Sequence, residues 1–350
     1  MLRKFLSITI TKRLVINIGG KNVKVFITGA TGLLGNSITN ELLKKGHRIT
    51  ALVRSRERGK TILDPRVALI EGTLEAVDQF SGSLQGFDVM IHAAAIYGEY
   101  YRNGDELALF NVNVNGTKAL FEAARKNGIN NIIYISSSAV LDTENIDEVD
   151  ERASYSETED PYFRSKVLSE QAVNEFAMAN PSVRIITILP TVMLGPGDRG
   201  PTPTGNIILN YLKGKTRFIF PGSHRIVDVR DVAHAAVQAI NTGRGGERYL
   251  IGGRKYSFSE IFKIFSNITG NPPLKKTISP GKLLMIARLV TLLHNIKGES
   301  SPLKPEIIKR LQKNFWYNSS KAEKELGVAF RSLDETLSDT MAWFKENRYA

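Results

Sequence analysis

Short apolar runs alternate along the chain with longer segments in which apolar residues recur every three or four positions. The apolar runs are typical of buried strands, and they fall at residues 24–29, 48–54, 67–72, 89–95, 131–137 and 184–190. The helical segments between them include residues 36–46, 111–128 and 164–180. Strands that alternate with helices in this way form parallel sheets with helices on both faces. The pattern therefore predicts an α/β fold with a doubly wound parallel sheet.

The pattern loosens after Pro190 and predicts a second, smaller lobe. Residues 194–205 are rich in Gly and Pro and are expected to form a loop, whereas 229–243 is predicted as a helix and 246–253 to contain a strand. From residue 254 the chain is predicted to be mainly helical. We expect three units: an N-terminal extension at 1–23, peripheral or poorly ordered; a main domain at 24–190, with 229–253 returning to it; and a mostly helical C-terminal lobe from 191–228 and 254–350.

The composition excludes several kinds of site. The 350 residues include no cysteine, which excludes disulfides, thiolate zinc sites and a cysteine nucleophile. A chain without cysteine fits a reducing compartment, and we expect a cytoplasmic location. The five histidines do not have the spacing of metal ligands, so no metal site is expected.

The net charge of +12 is unevenly distributed, with a basic zone from Lys275 to Lys313. Solvated faces are the simplest interpretation, and an anionic substrate, a membrane surface or nucleic acid are the alternatives. Basic runs interleaved with stacking aromatic residues are not evident, so no nucleic acid partner is expected. The most apolar run, residues 282–296, contains Arg288 and is too short for a transmembrane segment, which favours a buried or amphipathic helix.

A glycine-rich turn follows the first predicted strand directly. Gly29, Gly32 and Gly35 form a G-x-x-G-x-x-G pattern between that strand and the next helix. Such glycines permit a tight turn, a close approach of backbone to pyrophosphate, and close packing of helix on strand. The helix N-terminus then presents free N–H groups to phosphate. The pattern predicts dinucleotide binding; the alternative is a tight turn that holds no ligand.

A basic residue ends the second strand, where NAD-binding sites usually carry an acid for the ribose 2′-hydroxyl. Arg54 lies 19 residues after Gly35, with Arg56 and Arg58 behind it. An arginine in this position suits a 2′-phosphate. The cofactor is therefore predicted as NADP, with NAD possible, and the alternative is a solvated basic loop.

Tyr162 and Lys166 form a Y-x-x-x-K pattern at the start of a predicted helix. Residues four apart lie on one helical face, so the lysine cation is expected to lower the pKa of the tyrosine from about 10. A tyrosine tuned in this way can exchange a proton with a substrate oxygen. The pattern alone is weak, because among 11 tyrosines about one chance match is expected.

Several further motifs occur in order along the chain. They are the Thr-Gly-Ala-Thr-Gly-Leu-Leu-Gly turn at 28–35, His-Ala-Ala-Ala at 92–95, Asn113 in NVNGT, the serines of YISSSAVL, the Tyr162/Lys166 pair, LPTVMLGPGD and VDVRDVA. With these motifs the chain resembles the extended short-chain dehydrogenase/reductase family from residue 24 to about residue 344. PTPTG at 201–205 and GERYLIGG are most similar to the dihydroflavonol 4-reductase-like group.

The resemblance implies a Rossmann domain for the cofactor and a C-terminal lobe for the substrate. It implies Ser137, Tyr162 and Lys166 as catalytic residues, with Ser138 as the alternative serine. Asn113 is expected to support the site or to serve in helix packing, His92 to be structural or next to the cofactor, and Asp231 to tie the lobes together. The implied cofactor-binding residues are Gly29, Thr31, Gly32, Leu33, Leu34, Arg54, Thr73, Leu74, Ala93, Ala94, Ala95, Lys166, Pro190 and Thr191. Homodimers through two long helices, here 106–127 and 162–179, are common in the family.

Two positions depart from the family pattern. Thr73 stands where an acid usually contacts adenine, and Asp142 stands where a glycine usually follows the serine strand. Neither position touches the chemistry directly, but the carboxylate contact to adenine is lost.

Three functions remain open from the sequence. The first is an NADP-dependent reductase of a ketone or aldehyde, and the second is a nucleotide-sugar epimerase or dehydratase. Ser138-Ala139 supplies none of the acids that dehydratases of this family usually place beside the serine. The third is a dinucleotide-binding regulator without catalysis, which the intact set of Ser137, Tyr162 and Lys166 argues against.

The substrate is expected to meet the segment at 192–205, the C-terminal lobe and the loop at 96–103, which carries Tyr97, Tyr100 and Tyr101. Tyr97 and Ser138 are the candidate substrate-binding residues. These aromatic rings suggest a partly apolar or ring-bearing carbonyl substrate or a sugar nucleotide, and ordinary loop packing is the alternative.

Overall fold

The structure is a computed structural model, and it describes residues 22–97, 105–144, 146–297, 301, 305–312 and 316–350. The expectations for residues 1–21 and for Tyr100 and Tyr101 lie outside the described residues.

The strands of the described chain are short and mostly buried. They are β1 (Lys24–Thr28), β2 (Arg48–Val53), β3 (Ala68–Glu71), β4 (Val89–His92), β5 (Asn131–Ile135), β6 (Glu148–Val149), β7 (Arg184–Pro190), β8 (Val192–Leu194), β9 (Ser223–Asp228), β10 (Arg248–Ile251), β11 (Arg254–Ser257) and β12 (Trp316–Tyr317).

The α-helices connect these strands and continue to the C-terminus. They are α1 (Leu33–Lys44), α2 (Arg56–Ile62), α3 (Glu106–Phe110), α4 (Thr117–Lys126), α5 (Pro161–Ala179), α6 (Pro203–Leu212), α7 (Val229–Thr242), α8 (Phe258–Thr269), α9 (Pro280–Ile296), α10 (Pro305–Gln312), α11 (Ser320–Leu326) and α12 (Leu333–Glu346). Short 3₁₀ helices lie at Leu74–Gln79, Ser81–Leu84 and Ser138–Val140, and a π-helix at Asn111–Gly116 joins α3 to α4.

Seven strands form one parallel sheet in the order β10-β7-β5-β4-β1-β2-β3. The chain moves outward from β1 in one direction through β2 and β3, then returns to β4 and continues the other way. This reversal between β1 and β4 makes the sheet doubly wound, and ligands in such sheets bind at the carboxyl ends of the strands beside the reversal. The predicted fold class is confirmed.

Both faces of the sheet are covered, which explains why its strands are continuous apolar runs. Val25 and Ile27 of β1 belong to a buried cluster shared with α1 and α7, whereas Phe26 belongs to a second cluster shared with α4. Successive strand residues point to opposite faces, so this alternation places each of them in a core.

The C-terminal lobe has an apolar core of its own. It is built largely from α6, α8 and α12, with residues such as Ile208, Phe262 and Leu337 fully buried. A three-stranded sheet in the order β11-β9-β8 accompanies these helices. The expectation of a mainly helical chain from residue 254 holds for α8 to α12, but β11 and β12 were missed because they have only four and two residues.

The segment predicted as one helix at 111–128 is divided. The helical region begins at Glu106, passes through the π-helix at Asn111–Gly116, and ends at Lys126. Wide turns of this kind often occur at functional sites. The π-helix carries Asn113, which is described below.

Candidate active site

Two positions in the turn after β1 leave no room for a side chain. Gly29 has a φ of 76°, and a Cβ at this position would lie 2.7 Å from the carbonyl carbon of Ala93 at the end of β4. A Cβ at Gly35 would overlap the carbonyl oxygen of Gly29. Both residues must therefore be glycine for the turn to pack between β4 and α1.

Gly32 differs, because protein packing does not require a glycine there. It is exposed, its backbone is extended with φ −83° and ψ 171°, and a Cβ would approach nothing closer than the Gly29 carbonyl oxygen, at 3.4 Å. Gly32 is the N-cap residue that precedes α1, and no side chain of the described residues caps that helix end. The open space and the free N–H groups of α1 fit the pyrophosphate of a dinucleotide. Thr31, Leu33 and the buried Leu34 share this turn.

Arg54 lies beside this turn at the same edge of the sheet. β2 pairs with β1 so that Leu52 lies opposite Thr28, and Arg54 follows at the carboxyl end of β2. Its side chain is exposed and has no ion-pair partner among the described residues, whereas Arg56 lies 4.0 Å from Glu71. The position therefore offers a cation to a ligand phosphate.

The two predicted cofactor-binding residues after β3 differ in exposure. Thr73 is partly exposed and precedes the 3₁₀ helix at Leu74–Gln79. The Leu74 side chain is buried against Gly116, where an added Cβ would lie 2.8 Å from the Leu74 Cβ. Of this predicted pair, the Thr73 side chain is the one that a ligand can reach.

His92 connects β4 to its neighbours and is neutral. Its Nδ1 lies 2.7 Å from the Thr28 hydroxyl, and its Nε2 lies 2.9 Å from the Thr117 hydroxyl. Burial lowers the pKa of His92 to about 3, and the charge of Lys166 lowers it further. The uncharged ring therefore links the Thr28 and Thr117 hydroxyl groups, which fits the expected structural role.

Asn113 fixes the loop that follows β4. Its side chain accepts a hydrogen bond from the Ile96 N–H at 2.7 Å and donates to the Ile96 carbonyl oxygen at 3.0 Å. It also lies 3.0 Å from the Ser165 hydroxyl on α5. Asn113 thus joins the segment of Ala93, Ala94 and Ala95 to the helix that carries Tyr162 and Lys166, as expected of a supporting residue.

The three serines after β5 have different surroundings. The Ser136 hydroxyl donates to the buried carboxylate of Glu170, and Ser138 is buried. Ser137 is partly exposed, and its hydroxyl accepts a hydrogen bond from the Ala139 N–H at 3.1 Å. Among the three, Ser137 has the most accessible side chain, which supports its assignment over Ser138.

The first turn of α5 positions Tyr162. The Asp160 carboxylate caps the helix by accepting from the N–H groups of Tyr162 at 3.0 Å and Phe163 at 3.2 Å. The ring of Tyr97 packs against Tyr162 with a centroid distance of 5.0 Å and an interplanar angle of 60°. Tyr97 therefore lies next to the predicted catalytic residue with 43% of its surface exposed.

Lys166 lies one turn further along α5 and is almost fully buried. Its Nζ donates to the Ile135 carbonyl oxygen at 3.5 Å and lies 5.8 Å from the centroid of the Tyr134 ring. Burial lowers the pKa of Lys166 to about 8, against the opposing effect of the Glu170 charge. Near neutral pH, Lys166 therefore carries its positive charge in most molecules.

The expected lowering of the Tyr162 pKa is wrong for this structure. Burial raises the pKa of Tyr162 well above its usual value, and Tyr97 and Asp160 raise it further. Desolvation of the phenolate dominates, and Lys166 contributes no opposing effect. Tyr162 therefore holds its proton.

Glu170 was missed in the sequence, although it extends the pattern to Y-x-x-x-K-x-x-x-E on one helical face. Its carboxylate is fully buried and lies 2.9 Å from the Arg248 Nε at the start of β10. Burial raises the pKa of Glu170, whereas Arg248, Ser136 and Lys166 favour its ionised form. Through Ser136, Glu170 and Arg248, this network joins the chain after β5 to α5 and β10.

Pro190 and Thr191 lie where β7 ends, and both are buried. The Thr191 hydroxyl donates to the Gly252 carbonyl oxygen at 2.8 Å and so joins β7 to the chain after β10. Asp231 accepts from the N–H of Arg331 at 2.8 Å and pairs with its guanidinium group. This contact links α7 to the segment before α12, consistent with the structural role expected for Asp231.

A cavity of about 390 Å³ lies beside β12, lined by residues that include Arg225, Lys255 and Trp316. Tyr317 in its wall donates a hydrogen bond to the Ser138 carbonyl oxygen at 3.4 Å. Ser137, Tyr162 and Lys166 do not line this cavity, so we assign the chemistry to the edge of the main sheet.

Two kinds of feature were not found within the described ranges. No group of three or more His, Cys, Asp or Glu side chains there is arranged to hold a metal ion. No helix of the described chain is long and apolar enough to cross a bilayer.

Comparison with known proteins places these features in a family. The sequence model of the NAD dependent epimerase/dehydratase family matches residues 25–252. A protein of Synechocystis sp. named “Putative dihydroflavonol 4-reductase” is 30% identical over 331 residues, covering 93% of this chain and 95% of that protein. The “Sterol demethylase protein B” of Methylococcus capsulatus is 29% identical, covering 91% of this chain and 98% of that protein. The crystal structure of gox2253 has a TM-score of 0.78 and 30% identity, covering 93% of this chain and 99% of that one.

Proposed function

The chain belongs to the NAD dependent epimerase/dehydratase family, and within it we propose an NADP-dependent reductase that converts a ketone or aldehyde of a small organic molecule into an alcohol. Membership already makes the chain an NAD(P)-dependent enzyme that acts on alcohol or carbonyl groups. The proposal adds the choice of phosphorylated cofactor and the direction of the reaction.

The position and exposure of Arg54 are the observation that supports NADP as the cofactor. It is an exposed cation beside the glycine turn, at the strand end where an acid would select the unphosphorylated ribose. We assign the pyrophosphate to the turn at Gly29–Gly35 and the 2′-phosphate to Arg54. Thr73, Ala93–Ala95, Pro190 and Thr191 are assigned to the remaining contacts along the same sheet edge.

When bound, the nicotinamide dinucleotide supplies the hydride that reduces the carbonyl carbon. Tyr162 donates its phenolic proton to the carbonyl oxygen as negative charge develops there. The Ser137 hydroxyl donates a hydrogen bond to the same oxygen and orients it. Lys166, one turn further along the same face of α5, is assigned to the nicotinamide ribose and supplies a cation to the site.

The choice of cofactor favours reduction over epimerisation. Arg54 suits NADPH, which is consumed as a reductant, whereas an epimerase uses its nicotinamide only transiently. Ser138-Ala139 supplies none of the acids expected beside the serine of a dehydratase. These two observations support the reductase over the nucleotide-sugar epimerase or dehydratase.

Replacing Arg54 tests the cofactor assignment. Arg54→Asp removes the cation and places an acid beside the ribose, so the KM for NADPH should rise far more than the KM for NADH. The measurement is the initial rate of loss of the reduced-nicotinamide absorbance at varied cofactor, with a panel of ketones and aldehydes.

Arg58→Asp is the matched control, because this exposed arginine lies on α2 and donates its backbone N–H to Ser55. It should change the two KM values much less. Equal changes for NADPH and NADH in Arg54→Asp would overturn the assignment. Conversion of sugar nucleotides without net cofactor use, and with no carbonyl substrate reduced, would overturn the reductase.

A further inference from the structure

One helix of the C-terminal lobe exposes a continuous apolar face. On α9 the large apolar side chains with more than a third of their surface exposed are Met285, Ile286, Leu289, Leu292, Leu293 and Ile296. Their exposed fractions run from 39% for Ile286 to 76% for Ile296. Single exposed apolar residues are ordinary, but a contiguous patch of this kind marks an interaction surface.

The same helix already uses its other face to pack on the protein. Leu283 and Ala287 are buried against Ile308 of α10, with Phe220 and Ile278 partly buried beside them. Met285 and Leu289 follow those two buried residues by two positions each, which is about 200° around a helix of 3.6 residues per turn. The outward face therefore points directly away from the lobe, and it is apolar where an ordinary surface helix is polar.

Another exposed apolar side chain lies beside the segment that leads into α9. Phe218 is 47% exposed. The next residue, Ile219, joins the segment before α9, with its N–H donating to Lys276 at 2.8 Å and its carbonyl oxygen accepting from Ile278 at 3.1 Å. The loop at Phe218 and the start of α9 are thus fixed to one another, and both present apolar groups to the outside.

The charged residues of the segment that contains α9 have one sign. Between residues 261 and 298 the sequence contains no Asp or Glu. The exposed cations near the patch are Lys275, Lys276, Lys282, Arg288 and Lys297. An apolar stripe bordered by cations complements a bilayer that carries anionic headgroups, where each nearby Lys or Arg strengthens binding.

We propose that α9 is a membrane-surface helix, which lies in the plane of a bilayer containing anionic lipid with its outward apolar face among the headgroups. The helix has 17 residues and Arg288 beside its outward stripe, so it lies on the bilayer and does not cross it. A second copy of the chain fits this face less well, because α9 paired with itself brings Lys282, Arg288 and Lys297 against one another without an acid between them.

Vesicle binding tests the proposal. The full chain should co-sediment with vesicles of equimolar phosphatidylcholine and phosphatidylglycerol, and much less with vesicles of phosphatidylcholine alone. The double variant Leu289→Gln/Leu292→Gln should bind the anionic vesicles roughly tenfold more weakly or worse, because two side chains no longer enter the bilayer. Both positions are exposed, so its thermal unfolding and its NADPH oxidation in solution should match those of the wild type.

The matched control replaces exposed apolar residues elsewhere. Leu107 on α3 and Met178 on α5 are each 74% exposed. Leu107→Gln/Met178→Gln should leave vesicle binding unchanged. Equal loss in both double variants would mean that general surface hydrophobicity drives binding, and it would overturn the assignment to α9.

A fluorescence measurement reports insertion directly. In Leu292→Trp, brominated phosphatidylcholine within the anionic vesicles should quench the added emission, whereas Met178→Trp should show no added quenching. Failure of the wild type to bind anionic vesicles would overturn the proposal. So would a dimer in solution that Leu289→Gln/Leu292→Gln dissociates while vesicles bind neither protein, because the face would then belong to a second copy.

Discussion

Tyr162 and Lys166 lie one turn apart on α5, and burial shifts the pKa of each. Burial raises the pKa of Tyr162 and lowers the pKa of Lys166 to about 8, so both side chains move toward their neutral forms. The sequence identified this pair but predicted the wrong direction for the tyrosine. The spacing of two residues reveals that a cation is near, whereas the cost of desolvation depends on the side chains packed around the phenol.

Removing the phenolic hydroxyl tests its role as the general acid. Tyr162→Phe should keep the ring contacts with Tyr97 and leave cofactor binding intact. Turnover should fall by about 10²–10⁴-fold, the usual contribution of a positioned proton donor. Steady-state rates and a fluorescence titration with NADPH check the two halves of this prediction. Tyr211→Phe, in the core of the C-terminal lobe, is the control, and near-normal turnover in Tyr162→Phe would remove the assignment.

The pH dependence should report Lys166. Its cation is present below a pKa of about 8 and is lost above it, so kcat/KM for reduction should fall as the pH rises through about 8. The Glu170 charge holds this pKa up. In Glu170→Gln the decline should therefore begin at lower pH, with thermal unfolding as the check on folding.

Glu175→Gln removes an exposed acid from the same helix and is the control for that shift. Its pH profile should match that of the wild type. An unshifted profile in Glu170→Gln would show that the carboxylate does not act on Lys166.

The strands and helices of the main domain were predicted well because their patterns are strong. Each apolar run from 24–29 to 184–190 contains a strand of the parallel sheet, because helices cover both faces of that sheet, although the edge strand β3 is only partly buried. The boundaries were less accurate. Helix α1 begins at Leu33, three residues before the predicted start at Asn36, because Gly32 can start the helix without a capping side chain.

Elements that depend on distant contacts were not predictable. The π-helix at Asn111–Gly116 places Asn113 between Ile96 and Ser165, and neither partner is local in sequence. Glu170 meets Arg248 across the fold in the same way. The short strands β11 and β12 have too few residues for a periodic pattern. Ser137 could be preferred over Ser138 by spacing, but the different exposure of their side chains required the structure.

Substitutions at two glycines of the turn after β1 should have different effects, one on folding and the other on ligand binding. Gly35→Ala places a Cβ onto the backbone of Gly29 and should lower the free energy of unfolding by about 1–3 kcal/mol or more. Gly32→Ala meets no such contact and should fold normally, but its methyl group enters the space assigned to the pyrophosphate. NADPH affinity should fall about tenfold or more, equivalent to about 1.4 kcal/mol.

Thermal unfolding and a cofactor titration on the two variants distinguish these effects. Unchanged NADPH affinity in a folded Gly32→Ala would contradict the placement of the pyrophosphate. An unchanged unfolding temperature in Gly35→Ala would contradict the packing described for the turn.

The proposed reacting groups lie at the carboxyl edge of the main sheet, beside a lobe with its own core. Arg54, the glycine turn, Ser137 and Tyr162 come from four separate segments that only the doubly wound sheet brings together. The contact of Asp231 with Arg331 links α7 to the chain before α12. The sequence predicted the sheet and its ligand edge through the order of its motifs. The homodimer, the cytoplasmic location and the domain boundaries stay predictions.

The stoichiometry of cofactor use tests the reductase most directly. A purified sample is given NADPH and a carbonyl substrate found in the panel, and the NADPH lost is compared with the alcohol formed. If the protein is a reductase, each molecule of alcohol formed consumes one molecule of NADPH, and Tyr162→Phe slows both processes together. Substrate conversion with no net loss of NADPH would contradict the proposed reductase and would identify an enzyme that uses its nicotinamide only transiently.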